Sequence, residues 1–289
     1  MAWVNAVVQG LLLGGSYALL ACGLSLMFGV MRLVNLAHGA LAVAAAYVAM
    51  SVVDGTGVPA FLSLLVVVPL FAVAGYALQR GLFNRALGFG ELSPLLVSFG
   101  LAVIVSNGLQ QVYSSDSRSI GIGELATASI RLGGDLSIGV FSLITLAVGV
   151  VVIAGVQLFL ARTRTGRAMR ATRDDGEAAR LMGIDDGHLY AVATAIALGT
   201  VALAGVFLGM STQFTPGYGD LVLIFAFEAV IIGGLGSLWG TLLGGLVLGV
   251  AQTVGAQVDP AYGVLAGHLV FLAVLLLKPS GLLPKVVPA

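Results

Sequence analysis

Charge is what this sequence has least of. Only 9% of its 289 residues are Asp, Glu, Lys or Arg, against roughly 25% in soluble proteins. A soluble domain of this length cannot cover itself with so few charges, which excludes an ordinary cytosolic enzyme. A disordered chain is excluded by the 59% hydrophobic content. Nucleic-acid binding relies on a basic surface, and here 13 Lys and Arg are cancelled by 13 Asp and Glu. The lone cysteine, Cys22, allows no intrachain disulfide. The only two lysines, Lys278 and Lys285, precede Pro279 and Val286. A phosphate-binding P-loop needs Lys followed by Ser or Thr, so that motif is absent. No nucleophile elbow, carboxylate dyad or metal-ligand spacing is visible, and no catalytic residue or metal site is expected. No basic segment precedes the first apolar run, since the first charge is Arg32. That run is expected to be a retained helix rather than a cleaved signal.

What is abundant is apolar sequence and glycine. Glycine occupies 41 positions, about twice its usual share of ~7%; it is enriched in transmembrane helices. Apolar runs of about 17–25 residues fall at 4–28, 36–53, 59–78, 94–112, 138–160, 188–210, 220–235, 239–257 and 262–277. The expectation is an all-α, multi-pass membrane protein forming one domain over 1–289. It has nine transmembrane helices, with eight as the fallback, because 220–235 is short and runs into Gly233-Gly234-Leu235-Gly236. Asn35 and Asp220 are suited to cap the second and seventh spans.

Basic residues orient the bundle. With segment 161–187 in the cytoplasm, that side carries Arg32, Arg80, Arg85, Arg162, Arg164, Arg167, Arg170, Arg173, Arg180, Lys278 and Lys285. Only Arg118 and Arg131 remain outside, in the 113–137 external loop. This is a strong positive-inside bias, placing the N-terminus outside and the C-terminus in the cytoplasm. The first and sixth spans are each followed by a polar break, one at Asn35 and one at Pro216–Asp220. Five spans separate these units, so the second is upside down relative to the first. That arrangement predicts an inverted repeat, typical of transporters, with the pathway at the repeat interface. Gly10, Gly14, Ala18 and Cys22 recur every fourth residue, as do Gly236, Gly240 and Gly244, beside Gly245 and Gly249; intrachain helix packing is the expected use.

The long polar segment 162–187 has a capping-box spacing at Asp174 and Glu177. Gly183 suits a left-handed helix end. A short helix from about Asp175 to Met182 is expected, serving either as a solvated connector or as a docking element. Glu228 lies eight residues into the seventh span, roughly 12 Å along it at ~1.5 Å per residue. A carboxyl at that depth costs at least ~2.5 kcal/mol on insertion scales. It reads either as a pathway or gate residue or as a protonated group hydrogen-bonded between helices. His38 has the same two readings. His268 and His188 fit no metal spacing.

Glu177-Ala178-Ala179, with Gly183 after three intervening residues, resembles the EAA loop of bacterial ABC importer permeases. That family's later I-x-L-P element is absent, as is usual in its branched-chain amino acid branch. Asn35–Ala40, Ala226–Gly240 and Gly166–Ala171 resemble that LivH-like branch specifically, so the likeness covers nearly the whole chain. The resemblance implies a permease subunit of an ATP-driven importer for branched-chain or related small amino acids, with urea or short amides as alternatives. It implies no cofactor in this chain, since ATP and Mg would be bound by two ABC ATPase subunits. A second related permease subunit (or a second copy) and an extracytoplasmic substrate-binding protein would complete the assembly in the bacterial cytoplasmic (inner) membrane. ATPase coupling would fall to Arg167, Arg170, Asp174, Glu177, Ala178, Ala179 and Gly183. Substrate pathway or gate residues would be Asn35, His38, Gly39, Gly217, Tyr218, Asp220, Glu228, Gly233 and Gly234. Rival readings are a proton-coupled secondary transporter, with Glu228 as proton carrier, and a passive channel.

Overall fold

The apolar runs fold as helices whose ends lie close to those the hydropathy predicts. A computed structural model describes residues 2–90, 92–133 and 136–283. Among them, eight helices are long and apolar enough to cross a membrane. These are α1 (Ala2–Met31), α2 (His38–Thr56), α3 (Ala60–Leu78) continued by a π-helical turn into α4 (Asn84–Leu87), and α5 (Leu92–Tyr113). After them come α6 (Val140–Arg162), α9 (Asp186–Ser211), α10 (Gly219–Gly233) with the 3₁₀ turn Pro216–Tyr218 ahead of it, and α11 (Leu238–Val258). The last apolar helix, α12 (Tyr262–Leu277), has 16 residues. Its length of about 24 Å falls short of a hydrocarbon core of ~30 Å. The fallback count of eight therefore fits, and nine is reached only by including α12. The seventh span is short as expected: α10 alone has 15 residues and reaches 18 only with the Pro216–Tyr218 turn ahead of it. Lys285 lies outside the described residues.

Two short helices, α7 (Arg164–Asp174) and α8 (Gly176–Leu181), fill the Arg-rich segment. At the opposite end the 113–137 segment departs from helix. Antiparallel strands β1 (Ser129–Gly133) and β2 (Leu136–Gly139) pair Ile130 with Ile138 and Arg131 with Ser137. Arg118 and Phe214 exchange backbone hydrogen bonds of 2.9 and 2.8 Å, joining this segment to the turn before α10.

Burial sorts the helices. α1 is the axis, packed against α6, α9, α10 and α11. Outer helices turn large apolar side chains outward, among them Leu65, Ile104, Val151 and Leu276; that surface matches lipid rather than water. Small residues let α1 and α11 cross closely. A Cβ on Gly14 would lie 2.5 Å from the carbonyl oxygen of Gly245, and one on Gly249 would lie 2.3 Å from that of Gly10. On the adjoining stripe of α11, Gly240 and Gly244 meet the Gly233 and Ala229 carbonyls of α10. The four-residue periodicity is thus spent inside the chain.

The neighbour pattern carries the inverted repeat. Exchanging α1, α2, α3 with α9, α10, α11 maps the α1–α11 packing onto α9–α3, and α1–α10 onto α9–α2. The pairs α1–α9 and α2–α10 map onto themselves. The two repeats meet where α2 and α10 begin. A Cβ on Gly39 would sit 1.9 Å from the Gly219 carbonyl oxygen, and one on Gly219 would sit 2.8 Å from the Ala40 backbone.

Candidate functional site

The break after α1 is folded back into the bundle. Buried His38, the first residue of α2, places Nε2 2.7 Å from the Leu20 carbonyl. A carbonyl can only accept, so Nε2 carries the proton and Nδ1, which has no partner, does not. Leu20 lies eleven residues before the end of α1, roughly 16 Å at ~1.5 Å per residue, so α2 starts deep in the protein. Irregular backbone is tolerated at such depth only when protein satisfies it. Asn35 Oδ1 accepts from the Ala37 N–H at 3.0 Å, and Ser98 Oγ accepts from the Leu36 N–H at 3.1 Å. Asn35 is therefore not the N-cap of α2; it closes a turn two residues ahead of the cap position, Ala37. Asp220 is likewise not a cap. It is exposed in the first turn of α10, where it complements the helix dipole. The α2 start packs on the Pro216–Tyr218 turn and the α10 start. Gly39 is thereby brought against Gly219, with Tyr218 half-buried and Gly217 exposed in the turn just ahead, while Asn35 stays in the buried break before α2.

Glu228 is nine residues past Gly219, and it has a partner. Its Oε1 shares a hydrogen bond of 2.5 Å with His268 Nδ1 of α12. Its Oε2 is buried with no partner. The neighbouring Tyr17 hydroxyl donates to Gln252 Oε1 at 2.6 Å. The pairing with His268 spans 40 residues, and neither helix alone signals it. Gln252 of α11 thus bridges to α1, whereas the amide of Asn107 bonds its own helix at Val103.

At its far end α10 stops at Gly233, where Gly234 and Gly236 take left-handed φ of 108° and 76°. The last carbonyls are closed by the chain's final described residues: the Leu282 and Leu283 N–H groups donate to Ile232 and Gly233 at 2.8 and 3.0 Å. This turn adjoins the Arg-rich segment. Met169 and Arg170 of α7 line one crevice with Gly236 and Leu238, against Gly29 and Val30 of α1.

In the Arg-rich segment, Thr163 caps α7 by accepting from the Gly166 N–H at 2.9 Å. Gly166 allows α7 to fold tightly on the end of α6, since a Cβ there would lie 2.5 Å from Leu160. Arg167 and Arg170 donate to the Arg162 and Ala161 carbonyls, closing the α6 terminus. The cap of α8 is Asp175, whose Oδ1 accepts from the Glu177 and Ala178 N–H groups at 3.1 and 2.9 Å. Asp174 instead ends α7 and pairs with Arg173, so the N-cap falls one residue later than predicted; Ala178 then stands at the third helical position, and the predicted capping box does not form. Gly183 has φ of 82°, and hydrogen bonds run from Ile184 N–H to Ala179 and from Gly183 N–H to Arg180. That is the Schellman helix end. Ala179 is buried; Glu177, Ala178 and Gly183 are exposed. Leu181 and Met182 are 85% and 83% exposed. The α8 end is tied to α9 by the Arg180–Asp186 pair at 3.2 Å, and Asp185, the cap of α9, pairs at 3.6 Å with Arg80 in the π-helical turn after α3. No group of metal-ligating side chains is present among the described residues.

An all-α bundle with inverted halves, re-entrant helix starts at its centre and a short helix capped at both ends in its Arg-rich segment defines a polytopic membrane transport subunit. The chain belongs to the family described as the permease component of branched-chain amino acid transport systems, whose family model matches residues 6–277. It is 33% identical to the high-affinity branched-chain amino acid transport permease BraD of Pseudomonas aeruginosa, over 98% of this chain and 96% of that one. It is 26% identical to LivH of Escherichia coli K12 with the same coverage. A fructose import permease, FrcC of Rhizobium meliloti, is 31% identical over 81% of this chain and 68% of its own.

Proposed function

We propose that this chain is the membrane-spanning subunit of an ATP-driven importer of branched-chain or related small amino acids. In the bacterial cytoplasmic membrane it works beside a second permease subunit (or a second copy of itself), two ATPase subunits that bind ATP and Mg, and an extracytoplasmic binding protein. The observation that carries this reading is α8: six residues, capped at both ends, presenting two large apolar side chains to solvent where most of the arginines lie. An isolated helix this short is not stable, so its shape is built by its caps for a partner. Closure of the ATPase pair would displace α7 and α8. Met169 and Arg170 would pass that motion to the Gly233–Gly236 turn, and Arg180 would pass it to α9. Asn35, His38, Gly39, Gly217, Tyr218 and Asp220 would form the moving gate where α2 and α10 meet.

Two experiments test it. Single cysteines at Arg118 and Arg167, in a Cys22→Ala background, are expected to label from outside only at 118 with an impermeant reagent in intact cells. Strong labelling at 167 would reverse the orientation and detach α8 from any cytoplasmic ATPase. The second experiment separates this reading from a proton carrier at Glu228. Glu228→Gln keeps a hydrogen bond to His268, so ATP-driven uptake should fall modestly. Glu228→Ala strands His268 at a cost of about 1–3 kcal/mol and should do more harm. Uptake should resist a protonophore while ATP is maintained in vesicles. A dead Gln variant together with protonophore-sensitive uptake would favour gradient-driven transport.

A further inference from the structure

A cavity of 410 Å³ lies inside the single chain, walled by α1, α6, α9, α10 and α11. Its volume falls within the ~300–1,000 Å³ of small-molecule sites. Its exposed wall residues are Ser211 and Thr212 at the end of α9, the end remote from the Arg-rich segment. The α1 wall runs from Gln9 to Leu20, roughly 16 Å at ~1.5 Å per residue.

The lining is divided by chemistry. At the depth of Leu20, the wall is Leu20, Val222 and Phe225, all buried and apolar. Tyr17 leans on Phe225 with ring centroids 5.0 Å apart, and its hydroxyl is spent on Gln252. Around these stand uncharged polar groups. Ser211 and Thr253 donate to their own helices. Ser16, Ser142 and Tyr218 also line the cavity, and their hydroxyls make no hydrogen bond to protein among the described residues. No charged side chain lines it.

We propose that this cavity is a solute site within one subunit, for a small net-neutral molecule with a branched aliphatic body and one polar end. The aliphatic part would lie on Leu20, Val222 and Phe225. A free hydroxyl both donates and accepts, so Ser16, Ser142 and Tyr218 serve a carboxylate and an ammonium of the same zwitterion. A net cation or anion would be desolvated with no counter-charge. A polyhydroxylated solute would leave its own hydroxyls unpaired on the apolar wall. The proposal deepens the importer reading and rests on it for the claim that the bound solute is the one transported.

The test uses the purified full-length subunit and the reconstituted importer. With Ser16→Cys in a Cys22→Ala background, millimolar L-leucine is expected to slow labelling by a small neutral thiol reagent at least fivefold. L-lysine, L-aspartate and glycerol should leave the rate unchanged. Equal labelling with and without L-leucine, or equal slowing by all four solutes, overturns the site. Leu208→Trp, which fills the cavity, should cut ATP-dependent L-leucine uptake at least tenfold; wild-type uptake from a filled cavity also overturns it. Absence of ATP-dependent uptake by the unmodified importer would defeat the transport reading. The protection assay on the isolated subunit would still decide whether the site exists.

Discussion

Replacing Leu181 and Met182 together by Asp is expected to abolish ATP-dependent uptake while the subunit still inserts and folds. Both side chains are almost wholly exposed, so the folded state loses little by the change. An interface with the ATPases would lose much. Apolar anchors at the centre of an interface are worth about 2 kcal/mol or more each when truncated, and ~1.4 kcal/mol is a factor of ten in affinity. Carboxylates in their place add desolvation without a guaranteed partner. Co-purification of the ATPases with the tagged subunit, and uptake in proteoliposomes, measure the effect. Normal uptake with normal subunit association would show that α8 docks on nothing. Gly183→Val should give a weaker version of the same phenotype, because a β-branched residue cannot hold φ of 82° without strain.

Gly39→Val should prevent the protein from accumulating in the membrane at all. At this position a Cβ would collide with the Gly219 backbone, and no rotamer relieves a clash with backbone. The α2 and α10 starts would have to separate, which belongs with the large destabilisations of ~4–5 kcal/mol or more. Gly55 offers the control in the same helix. Nothing lies within 4 Å of a Cβ there, so Gly55→Ala should stabilise by about 0.5–1 kcal/mol. Membrane expression level and thermal unfolding in detergent compare the two. Equal stability of both variants would mean that the α2–α10 crossing is not tight.

The spans were legible because lipid demands long apolar runs, and hydropathy records them directly. The reversed order of the two breaks was legible for the same reason, since counting spans is enough to show inversion. That the breaks touch through Gly39 and Gly219 was not legible, because nothing local distinguishes a glycine at a crossing from one facing lipid, such as Gly100. The partner of Glu228 was hidden similarly: His268 lies in a later helix whose rotational setting only tertiary packing decides. The β1–β2 hairpin did have a signal. Ile130 and Leu132 alternate with polar neighbours ahead of Gly133-Gly134-Asp135, and Leu136 and Ile138 follow it. In the Arg-rich segment, the sequence showed that a helix began and ended with caps. It placed the cap on Asp174, one residue early, because two adjacent aspartates differ only in the backbone geometry that the fold gives them.

The clasp at the end of α10 has a consequence for biosynthesis. Its last carbonyls bond to the N–H groups of Leu282 and Leu283, which the ribosome adds about fifty residues later. At ~5–20 residues per second that is a delay of roughly 3–10 s. During it α10 is already synthesised, yet its terminal acceptors have only water. The turn that adjoins the Arg-rich segment therefore acquires its final geometry last. Until then the nascent subunit has a loose joint at this turn, and under the proposed coupling an ATPase that bound early would have nothing rigid to push.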